Sequence, residues 1–518
     1  MDRFKIPLPQ RVRISRIITK NLDYGRVGSS YSYDNSHDAG YPKPQCPFRL
    51  VYTAVATGCV VGLALLLCFS IIEKVKHEGQ MMKHPSDHRA AVIHGRRNTT
   101  EQSRIELVES IPVDMEYGPN VTFGTPLYKS WKALLSMATR RVEVASFYWS
   151  LTGEDIGVNS STDNPGKDIL KDLKSLPARN ISVRVVASLT CVARNSTDLK
   201  ELEQHGVHVR KVNFKRLTKG VLHSKFWIVD KRHIYIGSAN MDWRSLTQVK
   251  EIGVIIYNCP RLARDLMKIF ESYWMMGAEN SSIPDPWPAT FDTTINHDHP
   301  LLVNISGVPS SVFIAASPPP FCPESRSKDL DAILLAIREA SQFVYVAVMD
   351  YFPATMFTYP PRYWPDIDDE LREAAFGRLV TIRLLVSCGR YTNPSMLPFL
   401  QSLDALHYPK RHVNVEVKAF IVPVGNHSHI PYTRLNHNKY MVTDKTAYIG
   451  TSNWSEEYFS TTGGVGLVIS QDDKEGSPAA GSLQQQLREL FLRDWDSPFA
   501  VSLNELHNYT DCSMSRDY

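Results

Sequence analysis

Short aliphatic runs recur along this chain, separated by longer stretches whose apolar positions repeat at helical spacing. Near Trp131–Thr139 the spacing predicts a helix, followed by a strand over VEVASFYW at 142–149. A second helical pattern near Leu330–Ala340 leads into FVYVAVMDYF at 343–352. In each case a further helix and strand follow, ISVRVVAS at 181–188 and VTIRLLVSC at 380–388. A third strand comes next, VHVRKV at 207–212 and VEVKAFIV at 415–422. Val/Ile-rich strands alternating with longer helical segments are the pattern of a sheet covered by helices. Matching elements stay about 200 residues apart, so the chain reads as α/β with an internal duplication. The first half covers 106–300 and the second 301–518.

One apolar run has a different character. Leu50–Ile72 holds 23 residues without a charge, enough for a helix to cross the hydrocarbon core of a bilayer. It starts too deep in the chain and is too long for an ordinary cleaved signal peptide. Residues 1–49 carry nine Lys/Arg against four Asp/Glu, while charges just beyond the run nearly cancel. The positive-inside rule therefore predicts a cytoplasmic tail at 1–49, a type II membrane helix at 50–72 and a lumenal remainder. Polar residues 73–105, without lasting periodicity, read as a stalk. Overall composition adds little: 58 Lys/Arg and 54 Asp/Glu give +4, which permits a local positive channel but not a large basic surface.

A lumenal body agrees with the glycosylation sequons at Asn98, Asn120, Asn159, Asn180, Asn195, Asn280, Asn304, Asn426, Asn453 and Asn508. Five cysteines lie beyond the apolar run: Cys191, Cys259, Cys322, Cys388 and Cys512. The count is odd, so at least one is free or pairs elsewhere.

The chemistry sits at the same place in each half. HSKFWIVDKRHIYIGSANMDWRS begins at His223, and HNKYMVTDKTAYIGTSNWSEEY begins at His437. Both carry His, Lys two residues on and Asp seven residues on, then Gly and, three residues later, Asn. Strand parity points His223 with Lys225 and His437 with Lys439. Asp230 and Asp444 have the opposite parity and are suited to fixing the turn that follows. Ser238, Ser452, Asn240 and Asn453 are placed to donate hydrogen bonds near the His–Lys pairs. If the halves meet about a pseudo-twofold axis, the set surrounds one phosphodiester. Lysines and amides neutralise and orient phosphoryl oxygens. One imidazole attacks phosphorus, and the other protonates the leaving oxygen and then activates water. Neighbouring imidazoles would titrate as a coupled pair. The residues around the motifs are Lys, Asn and Ser rather than metal ligands, so no metal and no cofactor is expected. Glu251, in VKEIG, is a candidate to orient His223, whereas the corresponding GGVG at 463–466 has no acid. That asymmetry assigns the nucleophile to His223 and the general acid to His437. Asn453 faces the phosphate in this reading, so its sequon is expected to stay unmodified. Trp227 and Trp243 are read as core or rim.

These two copies, H-x-K-x4-D followed by G-[ST]-x-N, resemble the phospholipase D superfamily. VESIP at 108–112, SFYWSLTGEDIGVN at 146–159, PPRYWPDID at 360–368 and IVPVGNHSHIP at 421–431 narrow the likeness to the vertebrate single-span D3/D4 subgroup. SLTGEDIGVN, RNSTDLK and VPVGNHS lean to its D4 branch. The resemblance covers about residues 106–515. It implies a duplicated phospholipase D fold, two βα sandwich halves with one active site between them. It also implies a type II glycoprotein routed through endoplasmic reticulum and Golgi to endosomes and lysosomes. The activity implied is a 5′ exonuclease on single-stranded DNA and RNA that limits innate nucleic-acid sensing. The alternative is a lipid phosphodiesterase or transphosphatidylase that uses lysophospholipids to make bis(monoacylglycero)phosphate. A homodimer is compatible with either. Both His and both Lys are kept, so activity is expected. The resemblance also implies a Cys388–Cys512 bridge. The subgroup's cysteine before VESIP is missing from QSRIELVESIP, which leaves Cys259 free or differently paired.

Overall fold

The computed structural model describes residues 102–119, 121–189, 196–471 and 479–515. The expected tail, membrane helix and nearly all of the stalk lie outside those residues, as do Asn98, Asn120, Asn195 and Cys191. Among the described residues no helix is long and apolar enough to cross a membrane.

Two mixed sheets form the body. The first has eight strands in the spatial order Thr125–Pro126, Arg104–Ser110, Glu251–Tyr257, His233–Gly237, Phe226–Val229, Arg141–Ser146, Ser182–Ser188, His208–Val212. The second has nine, in the order Leu301–Ile305, Val308–Ser317, Gly464–Ser470, Ala447–Gly450, Lys439–Thr443, Phe343–Val348, Thr381–Cys388, Val415–Ile421, Ala500–Ser502. In both, the strand that follows the motif hairpin lies antiparallel between that hairpin and an earlier strand, and a parallel trio flanks the other side of the hairpin. The duplication read from the sequence is thus a duplication of topology.

The aliphatic strands are apolar on both faces because both faces are covered. In Phe226–Val229, Phe226 and Ile228 join a cluster shared with the second half, whereas Trp227 and Val229 join an outer cluster with Trp131, Val144 and Tyr235. Trp227 and Trp243 are buried, as expected of core residues. The helix Leu127–Ser136 brings Trp131 onto this outer face, where its ring lies 4.7 Å from that of Trp227. The helix Asp329–Glu339 buries Ile333 and Ile337 in the equivalent place.

Some strand boundaries differ from the sequence reading, and the difference locates the site. The run at 142–149 breaks after Ser146, and Trp149–Ser150 pairs instead with Met241–Asp242 in a small separate sheet. The run at 343–352 ends as a strand at Val348. Phe147, Tyr148, Met349 and Asp350 thereby leave the sheets at the C-terminal ends of their strands, where open α/β sheets bind ligands.

Asp230 and Asp444 act as the parity argument expected. Asp230 accepts from the backbone N–H groups of Thr139, Arg140 and Arg141 and from the Thr139 hydroxyl, at 2.7–2.9 Å. Asp444 accepts from Ser341 N, Ser341 Oγ and Gln342 N at 2.9, 2.6 and 3.0 Å. Each carboxylate ties its motif turn to the start of the adjacent strand, Arg141–Ser146 or Phe343–Val348, which runs antiparallel to the motif strand. These donors hold both carboxyls below the ordinary range against the opposing effect of burial.

Cys388 and Cys512 form a disulfide, closing a separation of 124 residues. Cys259 and Cys322 are free thiols, the first buried and the second partly so. Asn159, Asn180, Asn280, Asn304, Asn426 and Asn508 are exposed, whereas Asn453 is buried.

Candidate active site

The segment leading into each motif strand crosses to the other half. His223 N donates to Gly463 O at 2.8 Å, and Gly463 N donates to Val221 O at 2.9 Å. In the second copy His437 N donates to Lys250 O at 2.8 Å, and Lys250 N donates to Leu435 O at 3.0 Å. Each half thus supplies the backbone partner of the other half's histidine. Both imidazoles line one cavity of about 370 Å³ at the seam.

The ring environments are unequal. His223 Nδ1 lies 2.9 Å from Thr451 O. A carbonyl only accepts, so Nδ1 carries the proton and Nε2 keeps a free lone pair. Phe147 and Tyr458 flank the ring at 5.0 and 5.1 Å between centroids. Burial, then the charges of Lys225, Lys439 and His437, hold the His223 pKa well below the usual imidazole value. It is a neutral base.

His437 Nδ1 lies 3.1 and 2.8 Å from the two carboxylate oxygens of Glu251. This corrects the expectation that Glu251 orients His223. The strand starting at Glu251 belongs to the first half, but its leading end crosses the seam and meets the second histidine. Ser238 Oγ and Ser245 Oγ also donate to that carboxylate, at 2.6 and 2.7 Å. Despite burial, His437, Lys439 and Ser238 hold the Glu251 pKa below its ordinary value, so it is ionised. Burial lowers the His437 pKa, with Glu251 opposing that shift; no carboxylate does this for His223. His437 is the ring that gains stabilisation when protonated.

The remaining predicted residues divide. Asn240 and Asn453 line the cavity. The Asn453 amide donates to Asp350 Oδ2 at 2.7 Å and to Tyr458 Oη at 3.2 Å, so it is aimed at a carboxyl rather than freely into the cavity. Ser238 and Ser452 do not line it and are corrected as direct phosphate contacts. Ser238 is spent on Glu251 and Ile252 O, and Ser452 is buried behind the strand start at Gly464. Lys225 and Lys439 are buried and not among the lining residues. Each ammonium folds back on the carbonyl of its own histidine, at 2.5 and 2.8 Å. They act from beneath the site. Burial lowers the Lys225 pKa far below its usual value, helped by Lys439, and pushes Lys439 down to about 8.

Several site residues escaped sequence reasoning. Asp350 lines the cavity, and burial pushes its carboxyl up to about 6. A lone acid closing the apolar run FVYVAVMD was its signal. In the equivalent position of the first half stands Tyr148, whose hydroxyl donates to Asp242 at 2.8 Å. Asp242 in turn holds Arg244 through contacts of 2.7–3.0 Å. Both lie inside the motif segment, yet their mutual pairing depends on a turn that spacing does not encode.

The arrangement offers one neutral imidazole with a free Nε2, one imidazole backed by a carboxylate, and two buried lysines below them. Comparison with known proteins gives a consistent picture. A family model described as "PLD3/4, PLD-like domain" matches residues 119–425, more than half of the chain. A Homo sapiens protein named 5'-3' exonuclease PLD4 is 52% identical over 416 residues, covering 80% of this chain and 82% of that protein. Its Mus musculus namesake is 53% identical over 406 residues, covering 78% and 81%. A Xenopus laevis protein named 5'-3' exonuclease PLD3 is 44% identical over 453 residues, covering 87% and 92%.

Proposed function

This chain belongs to the PLD3/4 family of PLD-like proteins, and from that premise we propose that it is a 5′-to-3′ exonuclease hydrolysing phosphodiesters of single-stranded DNA and RNA. The observation that carries the mechanism is the inequality of the two imidazoles lining one cavity.

In the first step the free Nε2 of His223 attacks phosphorus. A P–N bond forms as the P–O bond to the leaving strand breaks, and protonated His437 gives its Nε2 proton to the departing oxygen. In the second step His437, now neutral, takes a proton from water as the water attacks phosphorus. The P–N bond breaks and His223 is restored. Thr451 O fixes the tautomer that leaves Nε2 of His223 unprotonated. Glu251 stabilises the cationic form of His437. Lys225 and Lys439 provide positive potential where phosphoryl charge grows, in a site whose burial strengthens the effect. Because burial lowers the His437 pKa, an acidic compartment is where its acid form is available.

The same reading places the body in the lumen of the endosome–lysosome system, behind the uncharged run Leu50–Ile72, as a type II glycoprotein. The Cys388–Cys512 disulfide supports an oxidising route of synthesis. The six exposed sequon asparagines are candidates for glycan, and buried Asn453 is not. Removing single strands there would limit innate nucleic-acid sensing. The lipid transferase reading, in which the membrane run brings lysophospholipid to the same His–Lys groups, remains the competing chemistry, and a homodimer fits either.

The deciding assay uses purified protein at pH 5 with chelator and three substrates: 5′-labelled, 3′-labelled and circular single strands. Stepwise loss from the 5′ end with circles spared is expected. Cleavage of circles, or no nucleolysis beside vigorous lysophospholipid transfer, would overturn the reading.

A further inference from the structure

At the mouth of the cavity two tyrosines, Tyr391 and Tyr432, stand with 59% and 60% of their surface exposed. Their ring centroids are 4.8 Å apart at 35°. Large aromatic side chains usually bury their faces, so a mutually packed pair left open beside two catalytic imidazoles needs a reason.

The frame under the pair is rigid. Tyr391 sits on the loop after the strand Thr381–Cys388. That loop begins at the Cys388–Cys512 bridge, accepts Ser513 N at Gly389 O (3.1 Å) and accepts Ser513 Oγ at Thr392 O (2.5 Å). Gly389 N closes it by donating to Thr392 Oγ1 at 2.9 Å. Ser387, at its root, accepts Asn436 N at 3.0 Å, next to His437. Tyr432 has φ +56°, left-handed backbone that a bulky residue adopts only when its surroundings enforce it. The enforcement is visible. Arg244 donates to Pro431 O at 2.8 Å, Thr433 Oγ1 to Ile430 O at 2.9 Å, and Arg434 to Pro423 O at 2.7 Å. A backbone braced this way loses little freedom when a flat partner lands on the paired rings. Arg390 lines the same rim, and its guanidinium is 3.7 Å from Asp511.

We propose that Tyr391 and Tyr432 form a stacking platform for the nucleobase that flanks the scissile phosphodiester. The platform gives the enzyme its grip on base-bearing single strands and rests on the exonuclease reading above. A base in a duplex is already stacked and cannot use the platform, whereas an unpaired base can. Aromatic stacking tolerates every base, which suits an enzyme that must step along any sequence.

The test compares kcat/KM of the full-length protein at pH 5 on two oligonucleotides. One carries normal bases throughout; the other has abasic tetrahydrofuran residues at its 5′ end. The wild type is expected to favour the base-bearing strand by about 10-fold or more. The double variant Tyr391→Ala/Tyr432→Ala should collapse that preference towards one, with the loss in KM rather than kcat. Tyr391→Phe/Tyr432→Phe should restore it, because the ring face and not the hydroxyl does the binding. Equal losses on both strands would mark the tyrosines as scaffold and overturn the proposal, as would an unchanged preference or a loss confined to lysophospholipid transfer. A wild type inert on both strands would sink the exonuclease reading itself, and the platform with it.

Discussion

In the first half the strand after the motif hairpin begins with Glu251; in the second half the equivalent strand begins with Gly464. The sheets around these two residues share one topology, and their backbones cross the seam in the same way. Their consequences differ. Glu251 places a carboxylate on His437, while at Gly464 a Cβ would come 2.3 Å from Ser452 Oγ and 2.8 Å from Ser317 Oγ, so no side chain fits. His223 is left with a carbonyl as its Nδ1 partner. A carbonyl fixes a tautomer but does not balance a positive charge; a carboxylate does both. Duplication gave two similar histidines, and one position makes their surroundings unequal, as the proposed base and acid roles require.

The largest effect should come from removing either ring. His223→Ala and His437→Ala are each expected to lower kcat by at least about 10⁴-fold, the scale seen when a member of a catalytic unit is lost. The two losses should differ in kind. With a diester whose leaving group is p-nitrophenolate, His437→Ala should still release about one equivalent in a burst and accumulate phosphohistidine, since that group needs no acid. His223→Ala should give no burst. A burst from His223→Ala instead would reverse the assignment.

Next in size is Glu251→Gln. Its single amide oxygen can still accept from His437 and Ser238 at the Oε2 position, while the charge and the acceptor for Ser245 are lost. A fall of about 100-fold in kcat/KM is expected from the weakened acid. The sign of the pH effect follows. His437 must be protonated in the first step, and loss of the carboxylate lowers its pKa further. The alkaline limb of the profile should therefore move to lower pH. An unmoved limb would mean that Glu251 is only scaffold.

Gly464→Ala probes the other side of the comparison. The added methyl has no room beside Ser452 and Ser317, so a stability loss of about 1–3 kcal/mol is expected in denaturant titration. A neutral result would show that the seam can relax.

The smallest effect concerns two buried acids, one per half. Burial pushes Asp198 and Asp329 up to about 7. Asp198 accepts from Leu151 N at 2.6 Å, and Asp329 accepts from Tyr448 Oη at 2.8 Å. Their folded pKa exceeds the unfolded value of about 3.9, so the folded state binds more protons between those limits and stability falls as pH rises through that window. Tm should be several degrees higher at pH 5 than at pH 8, and Asp198→Asn/Asp329→Asn should flatten that slope. A slope that stays the same would place the pH dependence elsewhere.

Much of the architecture was legible because its signals are local. The parallel trios, the helices carrying Trp131 and Ile333, and the turn role of Asp230 and Asp444 all follow from period, parity and spacing. The paired motifs named His223, His437, Lys225 and Lys439 for the same reason. Strand ends at Ser146 and Val348 were overrun, since Phe147–Tyr148 and Met349–Asp350 continue the apolar pattern while already belonging to the cavity.

By itself the sequence determined the α/β duplication, the two motifs and the disposition of each His–Lys–Asp set within its own strand and turn, because each depends on residues a few positions apart. It left undecided which acid meets which imidazole. Glu251 is 186 residues from His437, and Thr451 is 228 residues from His223. Tertiary structure alone settled those partners, along with the burial of the lysines beneath the cavity and the exposure of Tyr391 beside Tyr432. Contacts of that kind arise only when two sheets close on one seam, and no periodicity along a single chain records the fit between distant surfaces.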